Sequence, residues 1–92
     1  MNVVWSQTAL NAYLQIIDYL FEKWTEKEVL TFQKKVDSLI IRVSKDNYIC
    51  PVSRLLNYHK CFVTKQNSLI YTIENNHLIL ITFIDNRALH SF

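Results

Sequence analysis

The chain has 92 residues, the size of one small domain, whose core leaves little reserve of stability. Half of the residues are apolar and only 20% are charged, which excludes a disordered chain and predicts apolar surface left for an interface. The net charge of +2 is too small to identify a nucleic-acid-binding protein, and all of the excess lies in residues 47–92. We expect a single domain over residues 1–92.

The first half of the sequence predicts a strand followed by a helix. The run "NVVW" at residues 2–5 is β-like, and Ser6 stands where a helix N-cap is expected. Apolar residues then recur at steps of three and four and cover far more than one face, so we expect this helix to bury two sides. Its aromatic residues are interpreted as core and helix–helix contacts rather than as a base-stacking surface: Tyr13, Tyr19, Phe21 and Trp24.

A second helix is predicted to begin directly after the first. The motif "TEKE" at residues 25–28 is a capping box, in which Thr25 caps the helix and Glu28 reaches back to its free backbone donors. An apolar helical period continues from Val29 to Val43 and ends at "SKDN". Because the connection is so short, the two helices are expected to form an antiparallel hairpin.

After Pro51 the apolar period shifts towards two, which predicts strands. Three strands fit residues 54–64, 68–74 and 77–84, with turns at "KQN" and "ENN". The sequence contains no glycine, so positive φ angles are expected at Asn67, Asn75 and Asn76. The predicted order is β-α-α-β-β-β, a two-layer α+β domain with a helical hairpin packed on one face of a small, mainly antiparallel sheet.

Targeting signals and metal sites are not indicated. The apolar segment at residues 9–21 is interrupted by polar residues, so neither a signal peptide nor a transmembrane helix is expected, and the chain is interpreted as cytoplasmic. Cys50 and Cys61 could form a disulfide, but in a reducing compartment we favour their interpretation as two small, partly buried thiols. Cysteines and histidines show no metal-ligand spacing, so no metal or cofactor is expected.

The order of these elements and several residues resemble the RelE/ParE superfamily, the toxins of bacterial type II toxin–antitoxin modules. The similarity runs from "VVWSQTALNAYLQIIDYL" through "FVTKQNSLIYTI" to "LILITFIDNR". It includes the opening strand with Trp5 and Ser6, and a Y-x-I strand followed by a hydrophobic strand that ends in arginine. The resemblance implies a cytosolic toxin of the plasmid-stabilisation type that arrests growth. It also implies a cognate antitoxin, encoded beside it, that holds the toxin inactive in a hetero-oligomer.

The resemblance leaves the target open, because some members cut messenger RNA on the ribosome and others poison DNA gyrase. Cutting RNA without a metal requires a group that activates the 2′-hydroxyl, cations for the phosphorane charge and an acid for the leaving oxygen. Lys60, together with His59, and Arg87 match basic positions implied by the RNA-cleaving members. The candidate catalytic residues, which apply only if RNA is cut, are Lys60, Lys65, Arg87 and His90.

Two implied positions depart from that pattern. Ser68 stands where an arginine is expected on the strand that leaves the hairpin, and Phe92 has no hydroxyl near the C-terminus, so His90 would have to act as the acid. We therefore rank a ParE-like action on DNA gyrase first. A RelE-like, ribosome-dependent mRNA endoribonuclease is the alternative, and a degenerate toxin that acts only as a binding module is the third possibility.

Each candidate residue also has a purely structural interpretation. Lys60 and Lys65 would be solvated edge-strand lysines that discourage aggregation. Arg87 would pair with Asp85 or with the antitoxin, and His90 would belong to a solvated tail. His77, at the "ENNHL" turn, is expected at the surface. The wide apolar stripe and exposed strand edges suit an antitoxin that adds a helix to a groove or a strand to the sheet.

Overall fold

The computed structural model describes residues 1–54 and 57–87. The elements in chain order are β1 (Asn2–Trp5), α1 (Gln7–Lys23), α2 (Glu26–Lys45), β2 (His59–Phe62), β3 (Asn67–Glu74) and β4 (His77–Asp85). The predicted β-α-α-β-β-β order and the α+β class are confirmed. Within the described part of the chain, neither helix combines the length and the apolar character needed to cross a lipid bilayer.

The four strands form one sheet in the order β1-β4-β3-β2. The last three strands make an antiparallel meander, and β1 joins its edge by pairing in parallel with β4, from Asn2 opposite His77 to Trp5 opposite Leu80. The helices cover one face of this sheet. The core between the layers is formed by both helices and the three meander strands: Ala9, Phe32, Val36, Leu39, Val43, Cys61, Leu69, Tyr71, Leu78, Leu80 and Phe83.

A β-bulge in β4 decides which of its side chains enter this core. Ile70 lies opposite Thr82 and Tyr71 lies opposite Leu80, so Ile81 is an extra residue without a partner on β3. An extra residue shifts the alternation of side chains from that point on. As a result Leu80 and Phe83, three positions apart, are both buried under the helices.

Ser6 connects this bulge to the start of α1. Its backbone N–H donates to the carbonyl of Leu80 at 3.1 Å, and its hydroxyl donates to the carbonyl of Ile81 at 2.7 Å. The same hydroxyl oxygen accepts the backbone N–H of Ala9 at 2.9 Å, which is the predicted N-cap. One side chain therefore caps the helix and satisfies a carbonyl of the bulged strand.

The capping box of α2 is also confirmed. The Glu28 carboxylate accepts the backbone N–H of Thr25 at 3.1 Å and also contacts the Thr25 hydroxyl. Its hydrogen bond to Thr25 lowers the pKa of Glu28, so this carboxylate stays ionised at the positive end of the helix dipole.

The expectation that α1 buries two sides is wrong. One side packs on the sheet, where the Tyr13 ring lies 5.9 Å from Phe32 and 5.7 Å from Phe83. The other side faces outward, because a two-layer domain has no element beyond α1. Three residues at helical spacing form an exposed "α1 stripe": Leu10 (40% exposed), Leu14 (49%) and Phe21 (58%). Tyr19 and Trp24 are exposed as well, so only Tyr13 of the four aromatics is a core residue.

β2 is shorter than the strand predicted at residues 54–64, and a positive φ angle occurs at an asparagine where none was predicted. Asn57 and Tyr58 precede β2 and bond to Ser53: the Ser53 N–H donates to the Tyr58 carbonyl (2.7 Å), and the Asn57 N–H donates to the Ser53 carbonyl (2.9 Å). Asn57, with a φ of 57°, supplies the left-handed turn that the sequence analysis missed.

The two predicted hairpin turns are present. At "ENN", Asn75 and Asn76 have φ angles of 49° and 63°, as a two-residue hairpin turn requires. At "KQN", the Thr64 hydroxyl accepts the backbone N–H groups of Gln66 and Asn67, each at 3.1 Å. Asn67 does not have the expected positive φ, since it is the first residue of β3 and pairs with Asp85.

The interpretation of the cysteines as free thiols is wrong. Cys50 and Cys61 are joined by a disulfide, with their Cα atoms 5.4 Å apart. The chain after Cys50 runs back along β2, where Pro51 accepts the Lys60 N–H at 3.1 Å and Val52 bridges to His59. The disulfide closes this loop against the edge strand.

Replacing Ser6 with alanine should destabilise the fold. The change removes the N-cap of α1 and leaves the Ile81 carbonyl without its side-chain donor, for an expected loss of about 1–2 kcal/mol in the free energy of unfolding. Urea denaturation would measure it. Ser38→Ala, at an exposed position of α2, should change the free energy by no more than about 0.5 kcal/mol. Equal losses in the two variants would contradict the role given to Ser6.

Opening the disulfide should also destabilise the chain. Cys50 and Cys61 are 11 residues apart, and a crosslink of this span is expected to contribute about 2–3 kcal/mol. The denaturation midpoint of the wild-type chain should therefore fall when a dithiol reductant is added. The Cys50→Ala/Cys61→Ala variant should show a low midpoint that the reductant does not change. A reductant effect of the same size in that variant would show that the disulfide is not its cause.

Candidate functional site

Arg87 lies in the turn that follows β4 and is held by Asp85. The backbone N–H and Nε of Arg87 donate to Oδ1 of Asp85 at 2.8 and 3.0 Å, and Nη2 donates to Oδ2 at 2.8 Å. The side chains are 59% and 45% exposed. Because a solvated ion pair contributes little to stability, its main effect is to fix the orientation of the guanidinium. This is the pairing named above as the structural interpretation of Arg87.

The two charges of this pair reinforce each other. Hydrogen bonds from the Arg87 side chain lower the pKa of the Asp85 carboxyl from 3.8 to about 2. In return, the bond to Asp85 raises the pKa of Arg87. Asp85 is therefore ionised at neutral pH. An anionic ligand of Arg87 has to share the guanidinium with this carboxylate or displace it.

Tyr19 of α1 lies beside Arg87, at the border of a shared cavity. Together with Asp85 the two residues border a cavity of about 370 Å³ between α1 and the end of β4. Ala12, Ile16 and Phe83 give this cavity an apolar floor, while Gln15, Gln66 and Asn67 add polar groups. The sequence did not predict a position for Tyr19 at this site. Its only signal there was an aromatic with a hydroxyl near the end of a helix, which the helical period assigned to the core.

Asn86 holds the loop between β2 and β3 against the end of β4. Its backbone N–H donates to the Gln66 carbonyl at 2.7 Å, and its side-chain amide donates to the Lys65 carbonyl at 3.2 Å. The Ser68 hydroxyl donates to Oδ1 of Asn86 at 2.6 Å. Ser68 is completely buried, so the position at which the family pattern predicts arginine serves here as an internal anchor.

Lys65 is exposed and belongs to that loop, not to an edge strand as the structural interpretation had it. It borders a second cavity, of about 340 Å³, with Trp24 and Lys35. The two cavities share Leu20, Gln66 and Asn67. Lys65 and Arg87 therefore flank the same short segment at one end of the sheet, on the side of the helices.

Lys60 lies on the opposite face of the sheet from Arg87. Its neighbours His59 and Cys61 are buried towards the helices, and alternation along a strand directs Lys60 the other way. The Lys60 ammonium lies 5.5 Å from the centre of the Phe62 ring. Since β2 is at the sheet edge, the edge-strand position proposed for Lys60 is correct.

The histidines take no part in this site among the described residues. His59 is 8% exposed; its ring stacks on Tyr71 at 4.8 Å, and its Nδ1 lies 2.8 Å from the Cys50 carbonyl. His77 is half-buried at the start of β4 rather than fully at the surface as expected. His90 and Phe92 lie outside the described residues. Within residues 1–54 and 57–87, no group of three or more potential metal ligands comes together.

No protein-family model matches the sequence, and no curated protein matches it either. Solved structures do match. YoeB in the YoeB–YefM complex from Staphylococcus aureus is 19% identical, with a TM-score of 0.61 over 90% of this chain and 93% of that one. The YoeB/ParE toxin from Agrobacterium tumefaciens is 14% identical, with a TM-score of 0.66 over 94% and 99%.

A third match is a copper-bound toxin variant from Helicobacter pylori, 12% identical, with a TM-score of 0.68 over 98% of this chain and 99% of that one. In each case the alignment spans nearly the whole of both chains, so the likeness concerns the complete domain and not one motif. At these identities the likeness establishes the fold and not the activity. The chain has the fold of the RelE/ParE toxins, which its sequence resemblance implied.

Proposed function

We propose that the chain is the toxin of a type II toxin–antitoxin module and that it arrests growth by binding DNA gyrase, without making or breaking a covalent bond. Two features support the proposal: the fold, which is that of toxins such as YoeB, and the position of the candidate basic residues. Of these, the separation of Lys60 from Arg87 carries the choice between binding and cleavage.

Metal-independent RNA cleavage needs several cationic groups around one phosphate. Strand alternation directs Lys60 to the face of the sheet opposite Arg87, which opposes their meeting at one phosphate. Ser68, at the position where the pattern has a further arginine, is buried and bonded to Asn86. Among the described residues, the positions that the family pattern implies for cleavage therefore do not converge.

Arg87 is better suited to anchor a protein partner. Asp85 fixes its guanidinium in one orientation, so little side-chain entropy remains to be lost on binding. The cavity beside it combines an apolar floor with polar groups at its border, and arginines that a partner covers in such settings are common binding hot spots. We assign gyrase contact to this surface, formed by Arg87, Asp85 and Tyr19.

The α1 stripe is the surface that we assign to the antitoxin. Leu10, Leu14 and Phe21 are large apolar side chains left in solvent by the two-layer fold, and patches of this kind mark interaction sites. An amphipathic antitoxin helix could lie on them, and β1 offers an exposed strand edge next to α1. The S. aureus YoeB is found in complex with YefM, including a heterotetrameric complex.

The gyrase assignment predicts the outcome of two assays run together. The purified chain should inhibit gyrase supercoiling and leave messenger RNA on translating ribosomes intact. Arg87→Ala should weaken the inhibition by about 30-fold, the effect of losing an anchor worth about 2 kcal/mol. Arg54→Ala removes an exposed arginine outside this surface and should inhibit like the wild type.

The opposite pair of results, ribosome-dependent cleavage with normal supercoiling, would reject the gyrase target in favour of the RelE-like endoribonuclease. In that case Lys60, Lys65 and His90 become the residues to replace next. If induction of the gene causes no growth arrest, both targets are rejected and the degenerate, binding-only toxin remains.

The antitoxin assignment predicts a separation of toxicity from rescue. Leu14→Glu/Phe21→Glu places two charges in the α1 stripe and should abolish rescue by the small protein encoded next to this gene, because desolvating those charges opposes docking. Toxicity itself should persist. Val52→Glu, at an exposed apolar position near the opposite edge of the sheet, should still be rescued. Full rescue of the double variant would place the antitoxin elsewhere.

A further inference from the structure

One side of α2 carries cations and hydroxyls along nearly its whole length. Seven exposed residues recur at steps of one, three and four, which places them within one narrow arc of the helix. We call them the α2 basic stripe: Lys27, Thr31, Lys34, Lys35, Ser38, Arg42 and Lys45. At 1.5 Å per residue the stripe is about 27 Å long.

The charge of this stripe is only partly balanced by neighbouring carboxylates. Within residues 1–54 and 57–87, the side chains of Lys34, Lys35 and Arg42 have no ion pair. Helical periodicity places Glu26 and Asp37 outside the stripe. Asp37 lies on the side of α2 that faces α1, where its negative charge helps to raise the pKa of Tyr13. Glu28 and Asp46 lie at the borders of the stripe; the Glu28 carboxylate is bonded to Thr25 and also lines the cavity that contains Lys35. Solvated helix faces usually mix the two signs of charge, so this one is unusual.

Two cavities run along the stripe, and each has an exposed aromatic ring at its border. Lys34, Ser38 and Arg42 line one of about 370 Å³ between α2 and β2, which also includes Phe62, 68% exposed. Thr31 and Lys35 line both this cavity and a second cavity of about 340 Å³, which is also lined by Lys65 and by Trp24, 56% exposed. Cations that alternate with accessible aromatic rings are typical of single-strand nucleic-acid grooves.

We propose that the α2 basic stripe binds a single-stranded nucleic acid, with its phosphates along the cations and hydroxyls of α2 and bases stacked on Phe62 and Trp24. The stripe is long enough for a strand within the range of about 4–16 nucleotides that single-strand-binding surfaces cover. Lys60, whose ammonium is 5.5 Å from the Phe62 ring, adds a further charge at the same edge.

An acidic peptide is the other polyanion that such a stripe could attract. A peptide that docks beside an edge strand gains its affinity from backbone hydrogen bonds to that edge. Here the edge of β2 is already occupied, since Pro51 accepts the Lys60 N–H and Val52 bridges to His59. The two exposed aromatic rings give a nucleic acid contacts that an acidic peptide does not use, and the nucleic acid is therefore the occupant that these contacts favour.

This inference does not rest on the gyrase or antitoxin proposals. The basic stripe lies on α2 and borders β2, whereas the surface of Arg87 lies between α1 and β4. The two adjoin only where the cavity of Trp24 and Lys65 shares Leu20, Gln66 and Asn67 with the cavity of Arg87. Binding of nucleic acid can therefore be measured on the purified chain, whatever its target in the cell.

The test is fluorescence anisotropy with labelled oligouridylate and oligodeoxythymidylate of about 12 nucleotides, within the single-strand range. A duplex of the same length and a polyglutamate peptide are the competitors. Lys34→Gln/Arg42→Gln should weaken single-strand binding about tenfold and reduce the slope of log affinity against log salt by about 1.4, which corresponds to two phosphate contacts. Lys23→Gln/Arg54→Gln removes the same charge outside the stripe and should bind like the wild type.

Phe62→Ala should weaken single-strand binding about fivefold, the lower end for loss of one stacked base, without changing the salt slope. Circular dichroism of each variant shows whether it is folded. Equal loss in the stripe variant and its control would overturn the proposal, since binding would then follow net charge alone. Tighter binding of polyglutamate, or duplex binding as tight as single-strand binding with no effect of Phe62→Ala, would overturn it too. The preference between the RNA and DNA strands identifies the source of the strand.

Discussion

The hydroxyl of Ser6 is the point on which the two layers of this domain depend. It accepts the Ala9 N–H at the start of α1 and donates to the carbonyl of Ile81, the extra residue of β4. In a regular strand that carbonyl would accept a backbone N–H of the neighbouring strand, whereas at a bulge it needs a donor from elsewhere. Residue 6 supplies it 75 positions away in the chain. Helix start, end of β1 and bulge are thereby fixed relative to one another.

The bulge in turn decides the chemistry at the end of β4. Counting by twos from Leu80, a regular strand would turn Thr82 and Ile84 towards the helices. With Ile81 inserted, Phe83 enters the core and Asp85 follows it to the side of α1. Asp85 can therefore hold Arg87 beside Tyr19. The position of the candidate binding surface follows from one extra residue in a strand, and Lys60, on a strand without such an insertion, faces the other way.

Local features could be predicted from the sequence, and distant ones could not. The caps at Ser6 and Thr25 and the turn at Asn75 have partners within three residues, so motif spacing was enough to find them. The bulge and the disulfide join residues that only the folded chain brings together. The burial of α1 was overestimated because periodicity shows which faces are apolar, not whether another layer exists to cover them. Arg87 follows the last strand, as predicted, but the position of Tyr19 beside it required knowing that α1 passes the end of β4.

The parallel pairing of β1 with β4 has a consequence for how the chain is made. Among the described strands, β1 leaves the ribosome before the other three, yet the strand that it pairs with is β4, which is made after β2 and β3. Pairing over so long a sequence separation is slow and loses chain entropy before contacts compensate for it. The Ser6 bonds also wait for the carbonyls of residues 80 and 81. The complete sheet can therefore form only once synthesis has passed β4, so an unfinished chain lacks the fold on which the three proposed binding surfaces are built.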